Sequence, residues 1–222
     1  MISYTYIIDK MKSVHLFIVT IFVLLISCTL SENNNNIKNA YFAAGCYWSI
    51  ELAYQRIPGV VETSVGFCGG KTIDPTYRQV TSGRTGHAES VHIQYNENIV
   101  SYDELLKVFF TLHDPTSLNR QGGDAGTQYR SAIFPVDDFQ KNKAIKMINV
   151  LNEKHVYSQP IVTSIETPFV YTKAHEDHQK YLEKLGQSSK KGSLDRIQCY
   201  GNRGPIKKIK KSVHDIFLKK EL

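Results

Sequence analysis

Between residues 40 and 185 the sequence alternates strand-length apolar runs with helix-length amphipathic ones, each bounded by turn residues. AYFAAG (40–45) has the size and composition of a short buried strand, and an amphipathic helix follows over 47–56, punctuated by Pro58 and Gly59. VVETSVGF (60–67) and GHAESVHIQY (86–95) read as strands. SYDELLKVFFTLHDP reads as a helix, with Ser101 and Glu104 as a capping box and Pro115 as the stop. A glycine-bearing loop over 116–128 leads to a strand, YRSAIF (129–134). A long helix then begins at Asp137 or Asp138, with Ala144, Ile148 and Leu151 on one face. A last strand is predicted over 162–166 and a last helix over 174–185. Short alternating units without an internal repeat imply one α/β domain with a mixed sheet.

That domain does not use the whole chain of 222 residues. VHLFIVTIFVLLIS (14–27) is almost wholly apolar, yet shorter than the roughly 20 residues that cross a bilayer. It has the length of a secretory h-region, with Lys10 and Lys12 as the positive flank. The run closes on Leu25-Ile26-Ser27-Cys28, which resembles a bacterial lipobox; that resemblance implies lipidation of Cys28 and a membrane anchor. Met11-Lys12 would itself make a signal start, so translation is open to beginning there. Residues 29–39, polar and Asn-rich, read as a flexible tether. About 160 residues (40–201) remain for the core, which suffices for one well-buried domain.

The basic balance is local. From Lys190 onward ten Lys and Arg face three Asp and Glu, so this end carries +7 of a chain total of +6, leaving about −1 for everything before it. A nucleic-acid surface would spread basic residues over the folded body, so 202–222 reads as a basic solvated tail and nucleic acid is not an expected partner.

Two site types are set aside on spacing. VGFCGGKT lacks the glycine that a phosphate loop requires, Val65 standing in its place, and reads as a tight turn. His175 with His178, and His87, Glu89 and His92, are the only metal-like clusters; without a CxxC pair or HExxH they are coincidences expected among eight histidines. No flavin or nicotinamide fingerprint appears, so no bound cofactor is expected.

Cys46 carries the chemistry. At a strand-to-helix junction its sulfur can meet unpaired first-turn N–H groups, and these with the helix dipole favour the thiolate. Tyr47 and Trp48 follow directly, and two successive rings at a helix start cannot both enter a core. At least one is expected to wall a pocket beside the thiol.

GCYW (45–48) is similar to the GCFW signature of the peptide methionine sulfoxide reductase A family. PTYRQVTSGRTGHAESV (75–91), HDPTSLNRQGGDAGTQYRSAIF (113–134), HEDHQKYL (175–182) and CYG (199–201) resemble further family segments in the same order. The resemblance covers about 41–201 and implies a two-layer α/β plait with a ferredoxin-like core. It also implies reduction of methionine S-sulfoxide, free or in proteins, by a thiol.

By the same resemblance, Cys46 is the nucleophile and Glu89 the acid that protonates the sulfoxide oxygen. Burial beside rings would raise that carboxyl's pKa as the role requires. Tyr77 and Tyr129 correspond to hydroxyls that hydrogen-bond the oxygen, and Asp124 to an aspartate that orders the site. Tyr47 and Trp48 resemble the apolar wall for the substrate's S-methyl group. Cys199 matches the resolving cysteine, which condenses with the Cys46 sulfenic acid for reduction by thioredoxin or a thioredoxin-like protein. Some relatives carry KGCxDxxxCYG where this chain has KGSLDRIQCYG, so Ser193 removes one relay thiol and a direct Cys46–Cys199 bond is implied. Cys68 is the lesser candidate for that role. Other departures are Tyr47 for Phe, Ala44 for Gly and Gly123 for Asn. A monomer, exported and membrane-anchored through Cys28, is expected; a cytoplasmic enzyme is the alternative if the N-terminal segment is not a signal. The rival function is a surface-anchored redox-sensing or binding protein on the same scaffold, which would be oxidised without turning over sulfoxide.

Overall fold

The computed structural model describes residues 36–199 together with His15, Ile18, Ile21 and Phe22. The chain divides into two units, Met1–Ile37 and Lys38–Leu222. In the first, the backbone is helical at His15, Ile18, Ile21 and Phe22. No helix among the described residues is long and apolar enough to cross a membrane. Cys28, the tether up to residue 35 and the basic tail from residue 202 lie outside the described residues.

The described residues form eight strands, which lie in the second unit from Lys38 on: β1 (Ile37–Ala44), β2 (Val60–Cys68), β3 (Ala88–Asn96), β4 (Arg120–Gln121), β5 (Asp124–Ala125), β6 (Ser131–Ile133), β7 (Ser164–Ile165) and β8 (Thr172–Lys173). Six form one sheet in the order β7-β6-β1-β3-β2-β8, and β4 pairs with β5 as a separate hairpin. The β6–β7 pair is parallel, whereas β1–β6, β2–β3 and β2–β8 are antiparallel. The helices are α1 (Tyr47–Gln55), α2 (Tyr77–Thr81), α3 (Tyr102–Leu112), α4 (Asp138–Glu153) and α5 (Tyr181–Lys184).

Period-two alternation in β1 decides the layers. Ala40, Phe42 and Ala44 enter the main core with residues of α1, α3 and α4, while Tyr41 and Ala43 face a smaller cluster with Cys68, Ala88, Ala132 and Phe134. Phe42 sits at the centre of the main core, 5.7 Å from the Tyr54 ring and 5.2 Å from Phe109. Each such fully buried side chain contributes about 1.5–3 kcal/mol of transfer free energy. The helices on one face and the sheet form the two-layer α/β plait that the sequence implies.

Caps fix the helix starts. Ser101 and Glu104 close both hydrogen bonds of the expected capping box on α3. The Asp137 carboxylate accepts from Gln140 N at 2.8 Å, which settles the start of α4. Four expectations differ from the structure. The region 116–128 is not all loop: Gly122 and Gly123 turn the β4–β5 hairpin, and a 3₁₀ turn spans Thr127–Tyr129. The strand expected at 129–134 therefore shrinks to Ser131–Ile133. The helix expected over 174–185 is broken into a 3₁₀ turn (Glu176–His178) and α5, preceded by β8. The cause is Gln179, whose side chain bonds Val65 N and O and Ala174 O at 2.7–2.9 Å and holds its own backbone extended. The tether, expected to reach residue 39, gives way to β1 at Ile37, where the Gln140 amide donates to Asn39 O at 2.7 Å.

Candidate active site

The site begins where β1 ends. Gly45 turns the chain with φ +88°, and a Cβ there would lie 2.7 Å from Cβ of Gln121 in the β4–β5 hairpin. Only glycine combines that dihedral with so close an approach, and the hairpin carrying Asp124 thereby abuts the residue before Cys46. Cys46 is the N-cap of α1, extended at φ −63° and ψ 122°, and 6 % exposed.

One expectation is corrected here. The Cys46 side chain makes no capping hydrogen bond. Tyr47 N donates instead to Oε2 of Glu89, at 3.1 Å. β3 runs beside β1 in the sheet, so Glu89, itself 2 % exposed, reaches the positive end of α1. Nucleophile and acid candidates are thus brought to one helix terminus, where the dipole favours negative charge.

Rings surround this point. Tyr47 is buried with its ring centroid 6.0 Å from Phe67, and its hydroxyl lies 2.9 Å from Nδ1 of His178. Trp48 is half-buried and stacks on Tyr181 at 4.1 Å; His178 lies over the same ring system at 5.7 Å. Tyr77, first residue of α2, packs 4.4 Å from His178, and its helix is started by a Thr76–Gln79 capping box. Of the two rings after Cys46, one is therefore core and the other is half open.

Tyr129 ends the 3₁₀ turn that follows Gly126, whose φ of +138° would strain any residue bearing a side chain. Its phenol is pushed well above the usual range, first by burial and then by the negative forms of Glu89, Tyr77 and Cys46. Tyr47 is raised by burial and by the same set plus Tyr129. Both therefore stay neutral hydroxyl donors, and the two shifts share neighbours because the five groups crowd one place. His178 is lowered, chiefly by burial, and is neutral at pH 7. Asp124 is half-buried at the turn of its hairpin, paired with Gln121.

Cys199 arrives from the far end of the domain. Its sulfur stands 3.7 Å from that of Cys46, across 153 residues of sequence, against about 2.05 Å in a disulfide. Ser193 hydrogen-bonds the Asp195 carboxylate at 2.9 Å. Cys68 is fully buried in the second cluster, on the other face of the sheet, and burial pushes its thiol up to about 12. Among the described residues, no three His, Cys, Asp or Glu side chains are grouped to hold a metal ion.

Sequence reasoning named Cys46, Tyr47, Trp48, Tyr77, Glu89, Asp124, Tyr129 and Cys199. It missed His178 and Tyr181 as pocket walls. His178 drew notice only as a possible metal ligand beside His175, whose side chain instead caps the 3₁₀ turn. The available signal was the HEDHQKYL block, whose tyrosine and second histidine are the two missed rings.

Comparison with known proteins agrees with this arrangement. The family model described as peptide methionine sulfoxide reductase matches residues 38–199. A peptide methionine sulfoxide reductase A2-1 from Oryza sativa is 48% identical over 162 residues, 73% of this chain and 86% of the relative. One from the archaeon Natronomonas pharaonis is 47% identical over 150 residues, covering 68% and 84%. Among solved structures, the reduced form of Mxr1 from Saccharomyces cerevisiae superposes with a TM-score of 0.64 at 33% identity, covering 69% of this chain and 88% of that one. The methionine sulfoxide reductase A of Corynebacterium diphtheriae does so with 0.59 at 38% identity, covering 68% and 76%. A cysteine at a helix start, a buried glutamate on the next backbone amide and a match spanning 162 residues lead to one assignment: this chain belongs to the peptide methionine sulfoxide reductase family and reduces methionine sulfoxide with a thiol.

Proposed function

We propose that Cys46 attacks the sulfur of methionine S-sulfoxide, free or in proteins, while Glu89 delivers a proton to the departing oxygen. The sulfoxide sulfur gains two electrons and leaves as a thioether; Cys46 loses two and becomes a sulfenic acid. Tyr77 and Tyr129 donate hydrogen bonds to the oxygen without adding charge. Asp124 orders the loop beside them, and Tyr47 and Trp48 wall off the methyl group from water. The observation that carries this reading is the Tyr47 N to Glu89 Oε2 bond, which ties the acid to the residue after the nucleophile.

Cys199 then resolves the intermediate. The Cys199 thiol gives up its proton and attacks Cys46 sulfur, the S–O bond breaks, the departing hydroxide takes up that proton and leaves as water, and a Cys46–Cys199 disulfide forms. A thioredoxin or thioredoxin-like protein reduces it by thiol exchange. The 3.7 Å sulfur separation supports this pairing, as does the replacement of one relay position by Ser193. The apolar run ending at Ser27-Cys28 supports export and a lipid anchor in the cell envelope, which requires the reductant to work outside the cytosol.

The test is conversion of each sulfoxide epimer by the purified enzyme with thioredoxin, with Cys46→Ser as control. Conversion of the S form alone, lost in Cys46→Ser, is expected. Equal use of both epimers, or activity surviving the substitution, would refute the mechanism.

A further inference from the structure

Helix α1 has Cys46 at one end and Arg56 at the other, as N-cap and C-cap. Arg56 is 6 % exposed and its guanidinium faces no carboxylate partner in an ion pair among the described residues. Its Nε donates to Ser188 O at 2.8 Å, and Nη1 donates to Asp195 O. Its own carbonyl accepts from Gly192 N at 2.7 Å. The neighbouring Lys191 Nζ donates to Gln55 O and Val60 O, each at 2.6 Å, so the clasp is mutual. All of these contacts fall on the strand-less segment 186–199 that ends in Cys199, and Ile197 of that segment is buried with Leu52 of α1 and Leu182 of α5.

We propose that Arg56 is the positioning residue for the disulfide-forming step. Resting on the assignment of Cys199 as resolving thiol, it goes further by naming what holds that thiol in reach. A segment without regular hydrogen bonding has large conformational freedom, and a thiol on it meets Cys46 only as often as the segment is docked. A buried guanidinium bonded to two carbonyls seven residues apart fixes the segment's path. Because the same rigid helix presents Cys46, the clasp at one end sets the sulfur–sulfur distance at the other. Arg56 touches neither sulfur. The reaction it serves is balanced without it: Cys46–SOH and Cys199–SH yield the disulfide and one water.

The experiment is a rapid-quench measurement on the full chain after one pulse of methionine S-sulfoxide, without reductant. It follows methionine released, Cys46 sulfenic acid trapped by dimedone, and the Cys46–Cys199 disulfide. In Arg56→Ala the methionine burst keeps its wild-type rate, while disulfide closure slows tenfold or more and the trapped sulfenic acid accumulates. Arg56→Lys, able to serve one carbonyl, recovers part of the rate. Lys191→Ala, on the exposed side of the clasp, slows closure severalfold and decides the matter if Arg56→Ala does not fold. Closure at the wild-type rate in folded variants overturns the proposal, and so does a methionine burst that falls in step with closure. Cys199→Ser is run beside them: if it still closes a disulfide at Cys46, the assignment of Cys199 fails, whatever Arg56 does.

Discussion

The Tyr47 hydroxyl and Nδ1 of His178 lie 2.9 Å apart, joining the residue after Cys46 to a ring 131 positions away. With the phenol raised and the imidazole lowered, both partners are neutral at pH 7. Which of the two donates follows the imidazole tautomer: the phenol does so when the ring proton sits on Nε2. The Tyr47 hydroxyl thus ties the start of α1 to the His178 ring.

A double-mutant cycle measures that bond. Tyr47→Phe and His178→Ala, alone and together, should show a coupling of about 0.5–1.5 kcal/mol in denaturant unfolding, the ordinary worth of a neutral hydrogen bond. Additive effects would mean the two groups act independently.

Glu89→Gln keeps an oxygen for Tyr47 N and loses the proton donor. The first-turnover rate of methionine formation should fall by about 10²–10⁴, with sulfoxide binding changed little. A variant within threefold of wild type at neutral pH would remove Glu89 from the acid role.

Cys68 should be silent. Buried and raised to about 12, it should resist iodoacetamide in the folded protein, and Cys68→Ala should recycle with thioredoxin at the wild-type rate. Slow recycling in that variant would reopen the choice of resolving thiol.

Two buried groups give opposite pH dependence to stability. His113 bridges Phe109 O and Ser131 Oγ at 2.8 and 2.7 Å, and burial lowers it from 6.5 to about 4. Its stabilisation is present above 6.5 and is lost as pH falls toward 4, at about 1.4 kcal/mol per pH unit. Glu51, buried and bonded by Thr63 Oγ1 and Lys180 N, is raised from 4.5 to about 7. Its contribution is present below 4.5 and is lost as pH rises toward 7. The slopes oppose each other between pH 4.5 and 6.5, so urea unfolding of wild type should be nearly flat there in these two contributions. The wild-type advantage over His113→Gln should shrink as pH falls, and that over Glu51→Gln should shrink as pH rises. Parallel profiles for all three proteins would contradict the assignment.

What the sequence determined by itself is local. Ser101 and Glu104 announce α3, Asp137 or Asp138 announces α4, and the short apolar run at 40–45 announces a buried strand, because caps and strand-length apolar runs act over a few residues. The blocks around Cys46, Glu89, Tyr129 and Cys199 also named the candidate groups that the structure brings together. The tertiary structure alone decided where the bonds go: that Glu89 rather than the Cys46 sulfur takes the Tyr47 amide, that Gln179 breaks the expected helix by binding β2, that His178 and Tyr181 pack beside Tyr47 and Trp48, and that Arg56 bonds the segment leading to Cys199. Each of these depends on partners more than 40 residues apart, whose meeting is fixed by sheet order and packing. No periodicity or propensity within a window of sequence carries that information.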